Sequence, residues 1–267
     1  NPLSADLSVM RQTLLYGMME VVALNINRKA PSLKIYEFGN IYRFDPERKA
    51  EGGLAPYSES YRLAAAISGN YTTQTWNVKS EPSDFFKIKA VAEKILRRFG
   101  LDIYTLSCSP LRNEVFAEGL SVNAGNKTLM QIGTVSAKVR RIFDIKNDVF
   151  YMEADFDTLL KFTRKHKVTA TELPKFPAVK RDLALLVDSE VTYETLRAIA
   201  FQTERKLLKD VVLFDVYTGD KLAAGKKSYA LGFTLQDEAR TLDENTIDRT
   251  MNNLIEAFAK KAGAAIR

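Results

Sequence analysis

Apolar residues recur along this chain with two periods, every second residue in some segments and every three to four in others. From residue 181 onward the order of these segments is regular. RDLALLVD (181–188) has the length and content of a strand, and a helix is predicted over 192–208 with Thr192 as its N-cap. LFDVYTGDKLAAGKKSYALGFTLQ (213–236) reads as two strands around a glycine-containing loop. In TLDENTIDRTMNNLIEAFAKKAG, Ile247, Met251, Leu254, Ile255 and Phe258 make one helical stripe. Thr241 and Glu244 there have capping-box spacing, Lys260 and Lys261 suit the negative end of the dipole, and Gly263 can close the helix. The terminal AAIR leaves room for one short strand. The predicted order β-α-β-β-α-β is that of a ferredoxin-like unit, whose two helices cover one face of the sheet and leave the other open.

The hairpin carries a carboxylate where a strand ordinarily takes an apolar residue. Strict alternation sends Val212, Phe214 and Val216 to one side and Leu213, Asp215 and Tyr217 to the other. On the return strand Tyr229, Leu231, Phe233 and Leu235 form an apolar row, and Ser228, Ala230, Gly232 and Thr234 a small, weakly polar one. The expectation is a core face and a flat, thinly covered face bearing Asp215, Tyr217 and Ser228. Such a face can be merely solvated; small residues beside a projecting tyrosine also suit a flat ligand such as a nucleobase.

Residues 1–165 mix helices and strands. A helix is predicted over 6–26, with Met10, Leu14, Met18, Val21 and Val22 as its stripe. Strands follow at KIYEFGNIYRF (34–44) and YRLAAAISG (61–69), separated by a charged, proline- and glycine-containing loop at 45–60 that reads as mobile. A second helix, SDFFKIKAVAEKILRRFG, takes Ser83 or Asp84 as cap and stops at Gly100. Further strands are predicted near 101–107, 115–123, 127–134 and 148–155. Helices set apart from several consecutive strands predict a largely antiparallel sheet, and so an α+β chain. TRKHKVTATELPKFPAV (163–179) has two prolines, scattered charge and no apolar period, which places the join there.

Composition narrows the chemistry. Hydrophobic residues make up 46% and charged residues 27% of the 267, an ordinary soluble composition. No apolar run approaches the roughly 20 residues of a membrane helix, and no signal peptide opens the chain. Cys108 is the single cysteine, which excludes an internal disulfide and fits the reducing cytoplasm. With His166 as the single histidine, a structural zinc site and Ser-His or Cys-His catalysis have little to build on. His166 itself sits in the charged stretch TRKHK and reads as surface. No catalytic, cofactor or metal residue is assigned. The chain opens on Asn1 without a methionine and is expected to be a piece of something longer.

The net charge of +6 is spread thinly, with 23 basic against 18 acidic residues in 1–165 and 16 against 15 in 166–267. No run reads as a basic tail, so any nucleic-acid contact rests on placed residues. Phosphate-binding glycine loops and paired-histidine motifs are missing from the sequence. VRRIF (139–143), with Arg140 and Arg141, could reach a phosphate.

Taken in order, NPLSADLSVMRQTLLYGMMEVVALNINR, IYEFGNIYRF, DFFKIKAVAEKIL and FAEGLSV with LMQIGTVS resemble the synthetase-like module of bacterial phenylalanyl-tRNA synthetase beta subunits. FPAVKRDLALLV, LFDVYTG, GKKSYAL, RTLDENTI and the terminal GAAIR resemble the ferredoxin-fold anticodon-binding domain of the same family. The resemblance spans the chain and implies a non-catalytic class II synthetase-like module over 1–165 and an anticodon-binding domain over 172–267. It implies an α2β2 ligase in which the alpha subunit performs ATP- and Mg2+-dependent activation of phenylalanine, with the editing module upstream and outside this chain. It also implies two partners, the alpha subunit and tRNA(Phe). GNIYRFD is similar to the second class II motif, making Arg43 a relic of its phosphate-binding arginine; the third motif is not visible around Gly133, where the chain reads QIGTVSAKVRR.

Residue by residue, the anticodon contacts of the family fall here on Asp215, Tyr217, Ser228 and Arg267. A carboxylate can accept two hydrogens from the Watson–Crick edge of guanine, the first anticodon base, and a tyrosine ring can stack on an unpaired one. Two alternatives remain open at this point. One is a small-molecule-sensing ferredoxin-like regulatory domain fused to an inactive module. The other is the single-chain organellar synthetase, which would keep complete class II motifs upstream.

Overall fold

The computed structural model describes residues 8–164, 170, 172–220 and 222–267 (50 and 51 by backbone alone). The chain divides into two compact units, Asn1–Val168 and Thr169–Arg267.

In the first unit helix α1 (Leu15–Asn27) leads into β1 (Leu33–Phe44) and β2 (Tyr57–Ser68). A short ribbon, β3 (Asn70–Thr72) with β4 (Glu81–Pro82), precedes helix α2 (Phe85–Arg98). Then come β5 (Ser107–Pro110), β6 (Phe116–Ala124), β7 (Lys127–Val135), helix α3 (Ala137–Ile142), β8 (Val149–Asp155) and helix α4 (Phe156–Thr163). Six strands form one antiparallel sheet in the order β1-β2-β8-β7-β6-β5. Both faces are covered. Leu63, Ala65 and Ile67 of β2 pack with Ile88, Ala92 and Leu96 of α2 and Leu159 of α4. Ala64 and Ala66 pack on the other side with Leu15, Met18, Met19 and Val22 of α1 and Val139 of α3. A strand buried on both sides loses its alternation, which is why this stretch reads LAAAI.

The beginning of α1 corrects the predicted helix over 6–26. Residues 1–7 lie outside the described residues, and the helix starts at Leu15. Before it the chain runs beside β1, where the Tyr42 N–H donates to the Arg11 carbonyl at 2.9 Å. The helix begins where a carboxylate from β8 meets it: Glu153 accepts from the Leu14 N–H at 3.1 Å and the Thr13 hydroxyl at 2.6 Å. That side chain takes the orphan N–H of a helix start. Met10 and Val21 are therefore exposed, and the buried stripe is Leu15, Met18, Met19 and Val22. Tyr151 also donates to Glu153, at 2.5 Å; burial first, and the carboxylate second, hold its pKa well above the ordinary phenol value.

Two other boundaries move, and two short helices are added. The strand expected at 101–107 is a 3-10 turn at Ile103–Thr105, held by the Asp102 carboxylate accepting from the Tyr104 N–H, with β5 only from Ser107. The loop expected over 45–60 contains a 3-10 turn at Pro46–Glu51, and Tyr57–Ser60 already pair with β1. The short α3 and α4, unforeseen, are each started by a side-chain cap, Ser136 and Asp155. Of the stretch 163–179, residues 165–169 and 171 lie outside the described residues, His166 among them.

The second unit runs β9 (Val179–Asp188), α5 (Tyr193–Thr203), β10 (Leu208–Tyr217), β11 (Lys226–Leu235), α6 (Glu244–Ala262) and β12 (Ala265–Ile266). Its sheet has the order β10-β11-β9-β12, all neighbours antiparallel. This is the ferredoxin-like arrangement. Leu196, Ile199 and Ala200 of α5 and Ile247, Met251, Leu254 and Phe258 of α6 bury against Leu185, Val187, Val211, Leu231, Phe233 and Leu235. Helix α5 stops at Thr203 and not at 208, because Glu204 Oε1 accepts from the Lys206 and Leu207 N–H groups at 2.8 and 2.9 Å and turns the chain into β10. Helix α6 is capped by Asp243 rather than by a Thr241–Glu244 box. The Asp243 carboxylate accepts from the Thr246 N–H at 2.7 Å and from its hydroxyl at 3.1 Å, and these bonds lower its pKa. Gly263 ends the helix at φ 59°.

Candidate nucleic-acid interface

The face of the second sheet away from α5 and α6 is set by register, and register departs from strict alternation. Leu213 lies opposite Leu231, yet Asp215 lies opposite Ala230, so Phe214 is an extra residue in β10. Such a bulge inverts the faces of everything beyond it. Val211 and Leu213 therefore point to the core with Phe233 and Leu231, and Val212 joins the open face opposite Gly232. Strict alternation had grouped Leu213 with Asp215 and Tyr217, and Val212 with Val216; the bulge overturns both. Phe214 turns onto the open face too: a Cβ built on Gly232 would sit 3.7 Å from its ring Cδ1. An isolated glycine inside a strand was the available signal for the irregularity.

On this face Asp215 lies opposite Ala230, which in turn lies opposite Ala184 of β9. The exposed carboxylate thus projects over two methyl groups. Tyr217 lies opposite Ser228, and Ser228 opposite Leu186. From the far edge Arg267, whose N–H donates to the Ala184 carbonyl at 2.9 Å, places its guanidinium carbon 4.8 Å from the Tyr217 ring centroid. That reach crosses the two middle strands. Ser228, opposite Tyr217, is 5% exposed although it lies on the open face. Behind the ring stands Gly219, where a Cβ would come within 2.5 Å of Tyr217 Cζ. Sequence reading passed over Gly219, Phe214 and Asp182, which sits opposite Gly232 on β9.

In the first unit Arg43 is exposed on β1 and, with Arg62, Gln131, Glu153 and Asp155, lines a cavity of about 270 Å³. Arg62 pairs with Asp155 at 3.7 Å. Arg11 fills the space above Gly39, donating to the Asn40 carbonyl at 2.8 Å and to Glu37 at 2.6 Å. Arg140 closes the turn before β8, donating to the carbonyls of Lys146 and Asn147 and pairing with Asp148 at 3.0 Å; Arg141 is exposed. A second, apolar groove of about 560 Å³ lies among Val9, Met10, Phe44, Leu54 and Tyr57, all well exposed.

Residues 1–156 match the model of the phenylalanyl tRNA synthetase beta chain CLM domain, and residues 174–267 that of the ferredoxin-fold anticodon binding domain. The chain is 46% identical over its whole length to the phenylalanine–tRNA ligase beta subunit of Bacteroides fragilis, covering 33% of that protein. It is 39% identical to that of Porphyromonas gingivalis, again over the whole chain and 33% of the relative. It therefore spans about a third of the length of the curated relatives it matches. Among solved structures, pyrrolysyl-tRNA synthetase from Desulfitobacterium hafniense superposes with a TM-score of 0.42 at 14% identity, over 58% of this chain and 50% of that one.

Proposed function

The chain belongs to the phenylalanyl-tRNA synthetase beta chain family, and from that premise we propose that it reads the anticodon of tRNA(Phe) on the open face of its second sheet while its first unit seats the catalytic alpha subunit. The observation that carries the reading is the convergence of Asp215, Tyr217 and Arg267 on the face of the second sheet opposite to α5 and α6. Asp215 is an exposed acceptor on a strand whose neighbours Ala230 and Ala184 are small, suited to the paired donors of guanine. Tyr217 offers a ring held from behind by Gly219. Arg267 lies over the Tyr217 ring, so an incoming base displaces it or stacks with it, and Ser228, buried opposite Tyr217, needs such a rearrangement before its hydroxyl can be reached. The relatives support this reading and not the ligand-sensing regulatory domain.

The first unit, residues 1–165, acts as a non-catalytic member of an α2β2 assembly. Its exposed apolar groove beside Phe44 and Tyr57 is the kind of surface a partner chain covers. Relatives of this kind are tRNA ligases, which use ATP and Mg2+. The residues beside Arg43 do not fit a triphosphate. Arg62 is paired with Asp155, and Glu153 is bound to Thr13, Leu14 and Tyr151, so two carboxylates face the cavity. Among the described residues no cluster of His, Cys, Asp and Glu could hold a metal ion. ATP chemistry is therefore assigned to the alpha subunit, and the isolated chain should give no phenylalanine-dependent pyrophosphate exchange. No described helix is long and apolar enough to cross a membrane, and we place the chain in the cytoplasm with its partners.

Fluorescence titration of the 267-residue chain with phenylalanine tRNA against a noncognate tRNA tests the anticodon reading. Tighter binding of the cognate is expected, with the preference lost in Asp215→Ala and both affinities weakened alike in Tyr217→Ala; equal affinity of the wild-type chain for the two tRNAs would refute it.

A further inference from the structure

The open face does not end at Asp215. Two residues further along β11, Gly232 leaves a bare patch of backbone flanked by an aromatic ring and a carboxylate. A Cβ built there would lie 3.7 Å from Phe214 Cδ1 and 3.2 Å from Asp182 Oδ1. The Phe214 side chain is 57% exposed and takes no part in the core of this unit. Turning a phenylalanine outward by a bulge leaves more than half of its surface in water, which forgoes most of the burial the same ring would have in the core. We propose that Phe214, Asp182 and Gly232 form a second nucleobase subsite beside the one at Tyr217 and Asp215, taking an unstacked base that carries an exocyclic amino group. The assignment rests on the anticodon reading of this face and extends it by one nucleotide.

Three features lead to that occupant. The first is repetition: ring, carboxylate and small floor occur at Tyr217, Asp215 and Ala230, and again at Phe214, Asp182 and Gly232. The second is spacing. Ala230 and Gly232 are same-face neighbours, about 6.6 Å apart by the rise of a strand. That is roughly twice the 3.4 Å step of stacked bases in one strand. Bases in both places cannot stay stacked on each other, so each needs its own platform, as splayed loop bases do. The third is the polarity of the acceptor. A carboxylate offers no hydrogens, so Asp182 selects a base with amino donors, adenine, cytosine or guanine, over one with a lone imino group. Lys180, exposed on the same face of β9 and opposite Thr234, stands next in line for the connecting phosphate.

The test uses the full 267-residue chain and a fluorescein-labelled RNA stem–loop carrying the phenylalanine anticodon. Phe214→Ala should weaken binding roughly tenfold, the loss of one stacked base. Phe214→Leu, which keeps the apolar surface without the ring, should recover only part of it, and decides the matter if the alanine variant melts early. Asp182→Asn should cost a few-fold with the native loop. It should cost nothing further once the adenine at this subsite is replaced by purine riboside, which lacks the amino group; the adenines after the guanine are replaced one at a time. If Tyr217→Ala weakens binding but the Phe214 and Asp182 variants bind like the wild type, the second subsite is wrong and the anticodon reading stands. If the wild-type chain binds a scrambled loop equally well, the anticodon reading itself falls, and the subsite with it.

Discussion

The two sheets of this chain are built from similar strands and differ in cover. In the first unit β2 and β8 lie between helices on both sides, and the polar groups on them turn to one another. Glu153 gathers Thr13, the Leu14 N–H and Tyr151, and Arg62 meets Asp155. In the second unit helices cover one side alone, and the other side presents Asp215, Phe214 and Asp182 to solvent and lays Arg267 on Tyr217. A strand carboxylate thus takes opposite roles in the two places. Glu153 helps start a helix; the Asp215 carboxylate takes no hydrogen bond or ion pair among the described residues. Residue type alone does not separate these roles, and cover does.

The largest effect expected from this contrast is thermodynamic. Phe233→Ala removes a fully buried ring from the covered face and should lower stability by about 3–5 kcal/mol. Thr234→Ala, one residue on and on the open face, should stay within about 0.5 kcal/mol. Urea unfolding followed at two wavelengths distinguishes them, and equal losses would mean that the two faces are not different.

Next in size is recognition. Asp215→Ala in the intact ligase should reduce charging by about 1–3 kcal/mol through the first anticodon base. Changing that guanine in the tRNA should then add little for the mutant while harming the wild type. Additive losses, or a lowered melting temperature with base preference intact, would assign Asp215 to structure.

A smaller effect tests the platform from behind. Gly219→Ala puts a methyl group where the Tyr217 ring packs, so it should lose part of the roughly 1–3 kcal/mol that one stacked base contributes. The loss should be alike for all anticodon variants, because stacking does not discriminate bases, and the melting temperature should hold. A drop confined to guanine would contradict this.

The smallest effect lies on the covered side. The Asp243 pKa is lowered in the fold by the Thr246 N–H and hydroxyl. Its contribution is therefore present above the ordinary carboxylate pKa of about 3.9 and is lost as pH falls through the lower folded value. Asp243→Asn caps without ionising. It should flatten the acid end of the melting-temperature profile and leave the neutral region nearly unchanged; an unaltered acid limb would show that the cap does not titrate with folding.

Much of the architecture was legible in periodicity. The alternation of β11 placed Tyr229, Leu231, Phe233 and Leu235 in the core, and the stripe of α6 placed Ile247, Met251, Leu254 and Phe258 against them. Family resemblance supplied Asp215, Tyr217, Ser228 and Arg267. The misplacements share a cause. Helix α1 begins late because its start is held by Thr13, which accepts from the Leu15 N–H, and by Glu153, 139 residues away from Leu14 in sequence, which accepts from the Leu14 N–H and orders Thr13. The faces of β10 were mis-sorted because a bulge is defined by two strands and not by one.

The sequence by itself determined the family, the order of elements in the second unit and the main strands and helices of the first, since these follow from local period, turn chemistry and motif. Only the tertiary structure decided which side of β10 faces solvent, that Arg267 lies over Tyr217, and that Phe214 and Asp182 meet over Gly232. These depend on cross-strand register and on side chains arriving from the far edge of the sheet. A one-residue insertion there moves every later side chain to the opposite face while leaving the local hydrophobic pattern almost unchanged.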